Sequence, residues 1–405
     1  MRTENTKKTP GAALLGAFAP CPVIHTLALA AALVIALHLL LRRDHDLMAH
    51  LSESFVRPVH AALARLNSHV PFSVAEALIA VAAAAVLARL LVGLVRLILR
   101  RSSARRAYRL FAGLLAFVLW VYAGFCVLWG TYYYGDDFSA KSGLESGPVS
   151  VSQLEAVTEY FAALANEYGA AVPRDESGLY TCDRSAVLAR SASLFDGMTD
   201  ALPCLDGPRV AAKPVRFSRV MSYLDFTGFF FPFTGEANVN TDFPPALFAS
   251  TVAHELSHQR GVAKEQEANF VAVLASLRSG DVDYCYSAAL LAYTHLGNAL
   301  YSADNAAWQR VYAQLDDNVK LDLRLNSAYW RQFETPVQSV SNTVYEGFLH
   351  SYDQTLGLKS YGACVDLLVN YYYAGAAAHQ PSNVEIVALP LFRESFAAFC
   401  ASVVR

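Results

Sequence analysis

The chain has 405 residues, 54% of them hydrophobic and 17% charged, and a net charge of −3. Such a charge leaves no basic footprint for nucleic acid. The length admits two or three domains, or a membrane region followed by one domain. Seven cysteines are scattered with no CxxC pair, which argues against a zinc ribbon or a thioredoxin-type motif. The apolar excess lies in the first third of the chain, in three runs.

Residues 1–21 read as a cytoplasmic tail carrying Arg2, Lys7 and Lys8. The run "PVIHTLALAAALVIALHLLL", residues 22–41, has the length a bilayer requires. It ends on Arg42 and Arg43 and not on a small-residue cleavage site, so it reads as an uncleaved anchor. Within the next loop, "ESFVRPVHAALARLNSHV" has helical spacing and is expected to lie along the membrane surface. A second span covers about 72–97 and contains Arg89 and Arg96. Arg96 can snorkel to the interface, and Arg89 either snorkels or faces the bundle. A third span, about 108–131, runs into Trp129, Tyr132, Tyr133 and Tyr134, an aromatic belt. Between spans two and three, "RRSSARRAYR" (100–109) is short and dense in arginine, which places it in the cytoplasm and everything after span three outside. The loop between spans one and two carries Arg42, Arg43, Arg57 and Arg65 against that orientation, beside Asp44, Asp46 and Glu53.

Residues 132–149 read as a linker rich in Gly, Ser and Asp, and residues 150–405 as an extracytoplasmic domain. Helical patterns begin at Ser150 or Ser152 and recur at 184–195, 245–260, 264–278, 284–301, 305–314 and 337–353, with another from near Tyr361. Strand signals are few: "PVRFSRV" (214–220) and "TGFFFPFTGEANVN" (227–240). The predicted fold class is mainly α: three N-terminal transmembrane helices, then an α+β domain with a small sheet. Cys182 and Cys204 are either bridged or free.

"TVAHELSHQRGVAKEQEANF", residues 251–270, carries the chemistry. Thr241 to Pro245 start a helix and Gly261 stops it. His254 and His258, four apart, share one helical face and can hold one zinc ion. Glu255 is placed to act as general base on a metal-bound water. A third ligand is still needed, and the next helix offers Glu265 and Glu267 in its first turn. Glu265 is preferred, because Asn269 at i+4 can then support the site, and Glu267 is the reserve.

These residues resemble the gluzincin metallopeptidases, in which a glutamate from a following helix completes HExxH. "EQEAN" fits their pattern at Glu265 and Ala268, with Asn269 where an Asp is usual and with a shorter gap after His258. The stretches "PFSVAEAL", "TGFFFPFTGEANVN", "AHELSHQRGVAKEQEANF" and "SYGACVDLLVNYY" also resemble a family of bacterial membrane proteins defined only as a domain of unknown function, family 3810. The resemblance implies a polytopic membrane protein with a zincin-like domain. The expected function is a membrane-anchored Zn²⁺ metallopeptidase cutting a peptide or protein at the outer face of the membrane. The alternative is a non-catalytic membrane sensor or scaffold with a structural or vestigial metal site. In zincins an edge strand above the metal binds the substrate backbone, and 227–240 is placed for that role, with Glu236 and Asn238 at the cleft or in a turn. Tyr345, His350 and Tyr361 are candidate oxyanion donors. Expected partners are the substrate and the lipid bilayer, with no nucleic acid.

Overall fold

The structure, a computed structural model, describes residues 21–99, 104–144, 147–352 and 361–379. It is mainly helical, with one small mixed sheet. Contacts among these residues divide them into two units: those up to 135 together with 231–236, and those from 136 onward apart from 231–236.

The first unit holds three helices long and apolar enough to cross a membrane: α1 (Pro22–Leu41), α4 (Val74–Ile98) and α5 (Ala104–Leu128). Their outward faces are leucine and valine, such as Leu33 at 68% exposure and Val81 at 67%, a surface suited to lipid. Arg89 lies on the exposed side of α4. His25, near the start of α1, bonds Tyr108 near the start of α5, and Arg42, just past the end of α1, bonds Tyr134 beyond α5. The two helices therefore run parallel, as the first and third of three spans must.

The loop after α1 folds into α2 (His45–Leu51), a π-helical turn and α3 (Arg57–Ser68). Met48, Ser52, Val56, His60 and Ala64 are buried at four-residue spacing, so this segment turns one stripe into the unit and leaves Phe55 and Leu66 outside. The inserted residues 231–236 complete the unit. Asn67 Nδ2 donates to the Thr234 carbonyl at 2.8 Å. Gly235 sits at φ +67°, where a Cβ would lie 2.5 Å from the His60 carbonyl, so only glycine fits there. Glu236 accepts from Val74 N at 3.2 Å and Ala75 N at 2.7 Å, capping α4 beside its own N-cap, Ser73.

The stretch expected as a plain linker, 132–149, contains a 3₁₀ turn ending at Tyr133 and a short helix, α6 (Phe138–Ser142), anchored by the buried Phe138. The second unit is built on α7 (Val151–Ala171), opened by a Ser150–Gln153 capping box, and on α12 (Val282–Ala303), which packs along it. α8 (Arg184–Arg190), α10 (Phe248–Gln259), α11 (Glu265–Ser279) and α16 (Tyr361–His379) join the same core, in which Phe161, Phe248, Leu256 and Phe270 are fully buried. α13 (Asn305–Ala313), α14 (Asp317–Arg331) and α15 (Pro336–Ser351) follow α12.

The sheet has three strands in the order β1-β3-β2. β1 (Lys213–Pro214) runs parallel to β3 (Glu236–Val239), with Lys213 opposite Asn238, and β2 (Gly228–Phe231) forms one edge. The expected strand at 214–220 ends at Pro214, and Ser218–Tyr223 forms a helix, α9, whose buried Ser218, Met221 and Ser222 follow helical spacing. α14 has no counterpart among the expected helices. Cys182 is a free thiol, so it is not bridged to Cys204.

Candidate metal centre

α10 ends where Gly261 takes φ +85°, and the chain turns directly into α11. That turn brings the first residue of α11 back against the histidines of α10. His254 Nε2 lies 3.1 Å from Glu265 Oε2, and His258 Nε2 lies 3.6 Å from the same oxygen. The ligand atoms of His254, His258 and Glu265 all fall within 4.8 Å of one another. Tetrahedral ligands about 2 Å from a zinc ion stand roughly 3.3 Å apart, and the two distances to Glu265 lie near that spacing.

Each of the three has an outer partner that aims it. His254 Nδ1 meets Asn269 Oδ1 at 2.8 Å, and His258 Nδ1 meets the Val262 carbonyl at 2.7 Å. With both Nδ1 atoms engaged in this way, both Nε2 atoms face Glu265. The Tyr345 hydroxyl donates to Glu265 Oε1 at 2.7 Å. Burial alone would raise the Glu265 carboxyl, but the two imidazoles outweigh it and hold the group well below the usual range. Burial would likewise depress His258, but the adjacent Glu265 raises it to about 9. Two imidazole nitrogens and one carboxylate gathered in this way are a donor set that a divalent cation accepts.

Glu255 is buried, and its Oε2 makes no hydrogen bond. Burial lifts its carboxyl to about 7, against the opposing pull of the two histidines. Gly228, the first residue of β2, lies directly over it: a Cβ there would fall 2.5 Å from Glu255 Oε1. The open side of the site is a cavity of about 220 Å³ walled by Thr227, Thr251, His254, Glu265, Asn269 and Trp330, among others.

Glu267 points elsewhere. It is buried and accepts from Phe138 N (3.0 Å), Ser139 N (3.2 Å) and Ser139 Oγ (3.0 Å), so it holds the start of α6. Asn269 supports His254. Asn238 is buried and donates to the Phe229 carbonyl at 3.4 Å, and Glu236 caps α4, so neither lines the cavity. Of the oxyanion candidates, Tyr345 reaches Glu265, His350 is exposed, and the side chain of Tyr361 lies outside the described residues. Gly228 and Trp330 were not singled out by the sequence pattern. A glycine opening a run of phenylalanines was the only local sign that the backbone approaches something closely there.

No curated protein and no solved structure matches the chain. The sequence pattern of one family does match, over residues 51–369, a stretch that runs from the end of α2 into α16 and includes every residue of this centre. The chain therefore belongs to the family described as protein of unknown function (DUF3810).

Proposed function

We propose that the chain is a membrane-anchored zinc metallopeptidase of the HExxH type. The observation that carries this reading is the convergence of His254, His258 and Glu265 beside a buried Glu255 with one unbonded oxygen. His254 Nε2, His258 Nε2 and the Glu265 carboxylate would hold Zn²⁺. The ion would supply Lewis acidity for the scissile carbonyl and for water.

Glu255 takes the proton of the attacking water and returns it to the leaving amine. A carboxyl raised to about 7 is matched to both halves of that transfer near neutral pH. β2 is an outer strand of the sheet in the order β1-β3-β2, and an extended peptide would lie beside it. With no side chain at Gly228, the peptide bond to be cut can approach Glu255.

The bond from Arg42 to Tyr134 brings the end of the first span beside the end of the third. With the arginine-rich 100–109 loop in the cytoplasm, that end is the outer one, and residues after 136 work outside. A purely structural metal site has no use for an acid beside it with an unbonded oxygen, which favours the enzyme over a scaffold.

The test is metal content and hydrolysis. The chain is purified in mild detergent without added metal, and wild type is compared with His254→Ala and Glu265→Ala by elemental analysis. About one zinc per chain, lost in both variants, is expected. A wild type that holds no zinc even after metal is added back overturns the reading.

A further inference from the structure

Among the described residues of the second unit, ten large apolar side chains are exposed, and seven of them gather in one place. Four belong to α9 and its flanks: Phe217, Val220, Tyr223 and Leu224. Three belong to α15: Val337, Val340 and Val344, at 54%, 64% and 67% exposure. The other three, Val151, Tyr301 and Leu325, lie apart on α7, α12 and α14. Single apolar residues on a surface need no explanation, but a gathered patch does. Valine is also a mediocre helix former, so helix propensity does not account for three of them facing outward on α15.

Both stripes follow helical period, and the two helices are fastened side by side. Phe217, Val220 and Leu224 stand at i, i+3 and i+7, while Ser218, Met221 and Ser222 turn inward. Val337, Val340 and Val344 repeat that spacing on α15. The Ser341 hydroxyl donates to the Leu224 carbonyl at 2.8 Å, and Asn342 Nδ2 donates to Asp225 at 3.0 Å. Leu224 and the three valines therefore share the wall of one concavity of about 750 Å³, and no lysine, arginine, aspartate or glutamate lines it.

The rest of the chain says what covers this face. Three helices are long and apolar enough to cross a membrane, so a bilayer is at hand. Only six residues separate Leu224 from residue 231, which belongs to the unit that carries those helices. Seven steps of extended chain reach at most about 25 Å, so the chain itself keeps the patch within reach of lipid. The makeup is that of an interfacial face. The exposed Arg216 and Arg219 alternate with Phe217, Val220 and Tyr223 along one short segment. Arg219 stays at the rim, engaged with Asp242 and the Phe333 ring.

We propose that α9 and α15 form a membrane-docking face, which sinks roughly 5–10 Å into a lipid leaflet. The occupant is lipid: the headgroup layer and the first methylenes of the acyl chains. The inference rests on membrane anchoring and requires neither zinc nor a peptidase. It bears on the metal centre through Tyr345, whose ring lines the concavity against Phe226 and whose hydroxyl donates to Glu265. The centre then works close to the lipid surface, on segments that emerge from the bilayer.

The test uses the full chain in phosphatidylcholine nanodiscs, with a genetically encoded coumarin amino acid placed singly at position 340, 220, 309 or 33. Position 33, on α1, reports insertion of the spans, and position 309 is an exposed polar site on α13. Quenching is read with lipid carrying a doxyl group near its headgroup, and with iodide in the water. Doxyl quenching at 340 and 220 is expected to exceed that at 309 by at least about threefold, with both positions shielded from iodide. Quenching at 220 should fall to the level of 309 in the double variant Val340→Glu/Val344→Glu, with thermal unfolding unchanged, because both sites are exposed. His254→Ala, which removes a zinc ligand, should leave every readout as it was, so a failure of the zinc reading does not touch this result.

Equal doxyl quenching at 309 and 340, or an unchanged signal at 220 in the double variant, overturns the inference. Iodide quenching without doxyl quenching at 340 shows a bare face and overturns it. Shielding of 340 from both quenchers shows a cover of protein, a second copy or another segment of this chain, and also overturns it. Absence of doxyl quenching at 33 fails the membrane reading itself and takes the inference with it.

Discussion

Tyr345 donates to one oxygen of Glu265 at 2.7 Å while the other oxygen of that carboxylate faces His254 and His258. The hydroxyl thereby fixes which oxygen faces the two imidazoles and stops the carboxylate from rotating. Outer partners of this kind contribute about 10- to 100-fold in metal affinity. Tyr345→Phe keeps the ring against Phe226 and Phe348 and removes only the donor. Zinc affinity, measured by competition with a chelator, should fall by about tenfold or more. An unchanged affinity would show that Glu265 needs no such support.

Glu255 and the ligands should separate cleanly. Glu255→Gln has the same shape and makes no contact with a metal ligand that the substitution would break. It should keep its zinc and lose about 10²- to 10⁴-fold in turnover of any peptide the wild type cuts. Full activity in this variant would remove Glu255 from the chemistry.

The two glutamates at the start of α11 predict opposite phenotypes. Glu265→Ala should lose zinc. Glu267→Ala should keep zinc but lose about 1–2 kcal/mol of stability, because Phe138 N and Ser139 N at the start of α6 are left without their acceptor. Zinc analysis and thermal unfolding on the same two preparations decide it. Zinc loss on Glu267→Ala alone would reverse the ligand assignment.

Gly228→Ala places a methyl group 2.5 Å from Glu255 Oε1 and 2.6 Å from its Cγ. Strand or carboxylate must move, at a cost of about 1–3 kcal/mol. Activity should fall with zinc content intact, and the same substitution at Gly347, where a Cβ meets nothing within 4 Å, should be silent.

His60, on α3, is buried against Tyr132 with ring centroids 6.0 Å apart, and burial lowers it from 6.5 to about 4. Between those two values the unfolded chain binds a proton that the folded state refuses. Stability of the first unit therefore falls as pH drops through this window and is fully present above it, a difference of about 3 kcal/mol at the acid end. Unfolding in nanodiscs at pH 7 and pH 4.5 should show the drop, and His60→Asn should flatten it.

Much of this is legible in the sequence. The helix at Pro22–Leu41 coincides with its apolar run, because composition alone specifies a membrane-length helix. The pairing of His254 with His258 follows from helical period, and the meeting with Glu265 from a glycine turn between two helices. α14 escaped notice because only Val319 and Asp322 are buried along it, and Asp322 is held by Arg174 and Tyr286 from distant parts of the chain. Val319, Leu323 and Trp330 make its packed face, but Asp322 and Asn326 interrupt that stripe among charged residues. Glu267 and Glu236 were ambiguous for a related reason: the backbone amides they serve lie 129 and 161 residues away. Local pattern cannot name a partner at that distance.

The bond from Glu236 to Ala75 also sets a clock on biosynthesis. The second span can enter the bilayer as soon as it is made, but the carboxylate that caps it lies 161 residues downstream. At roughly 5–20 residues per second, the helix waits some 8 to 30 seconds for its cap. During that interval the amides of Val74 and Ala75 have only water to satisfy them, because the Ser73 side chain accepts from Glu76 N. A chain arrested before residue 236 should therefore carry a frayed second span, and an insertion chaperone would have that interval in which to engage it.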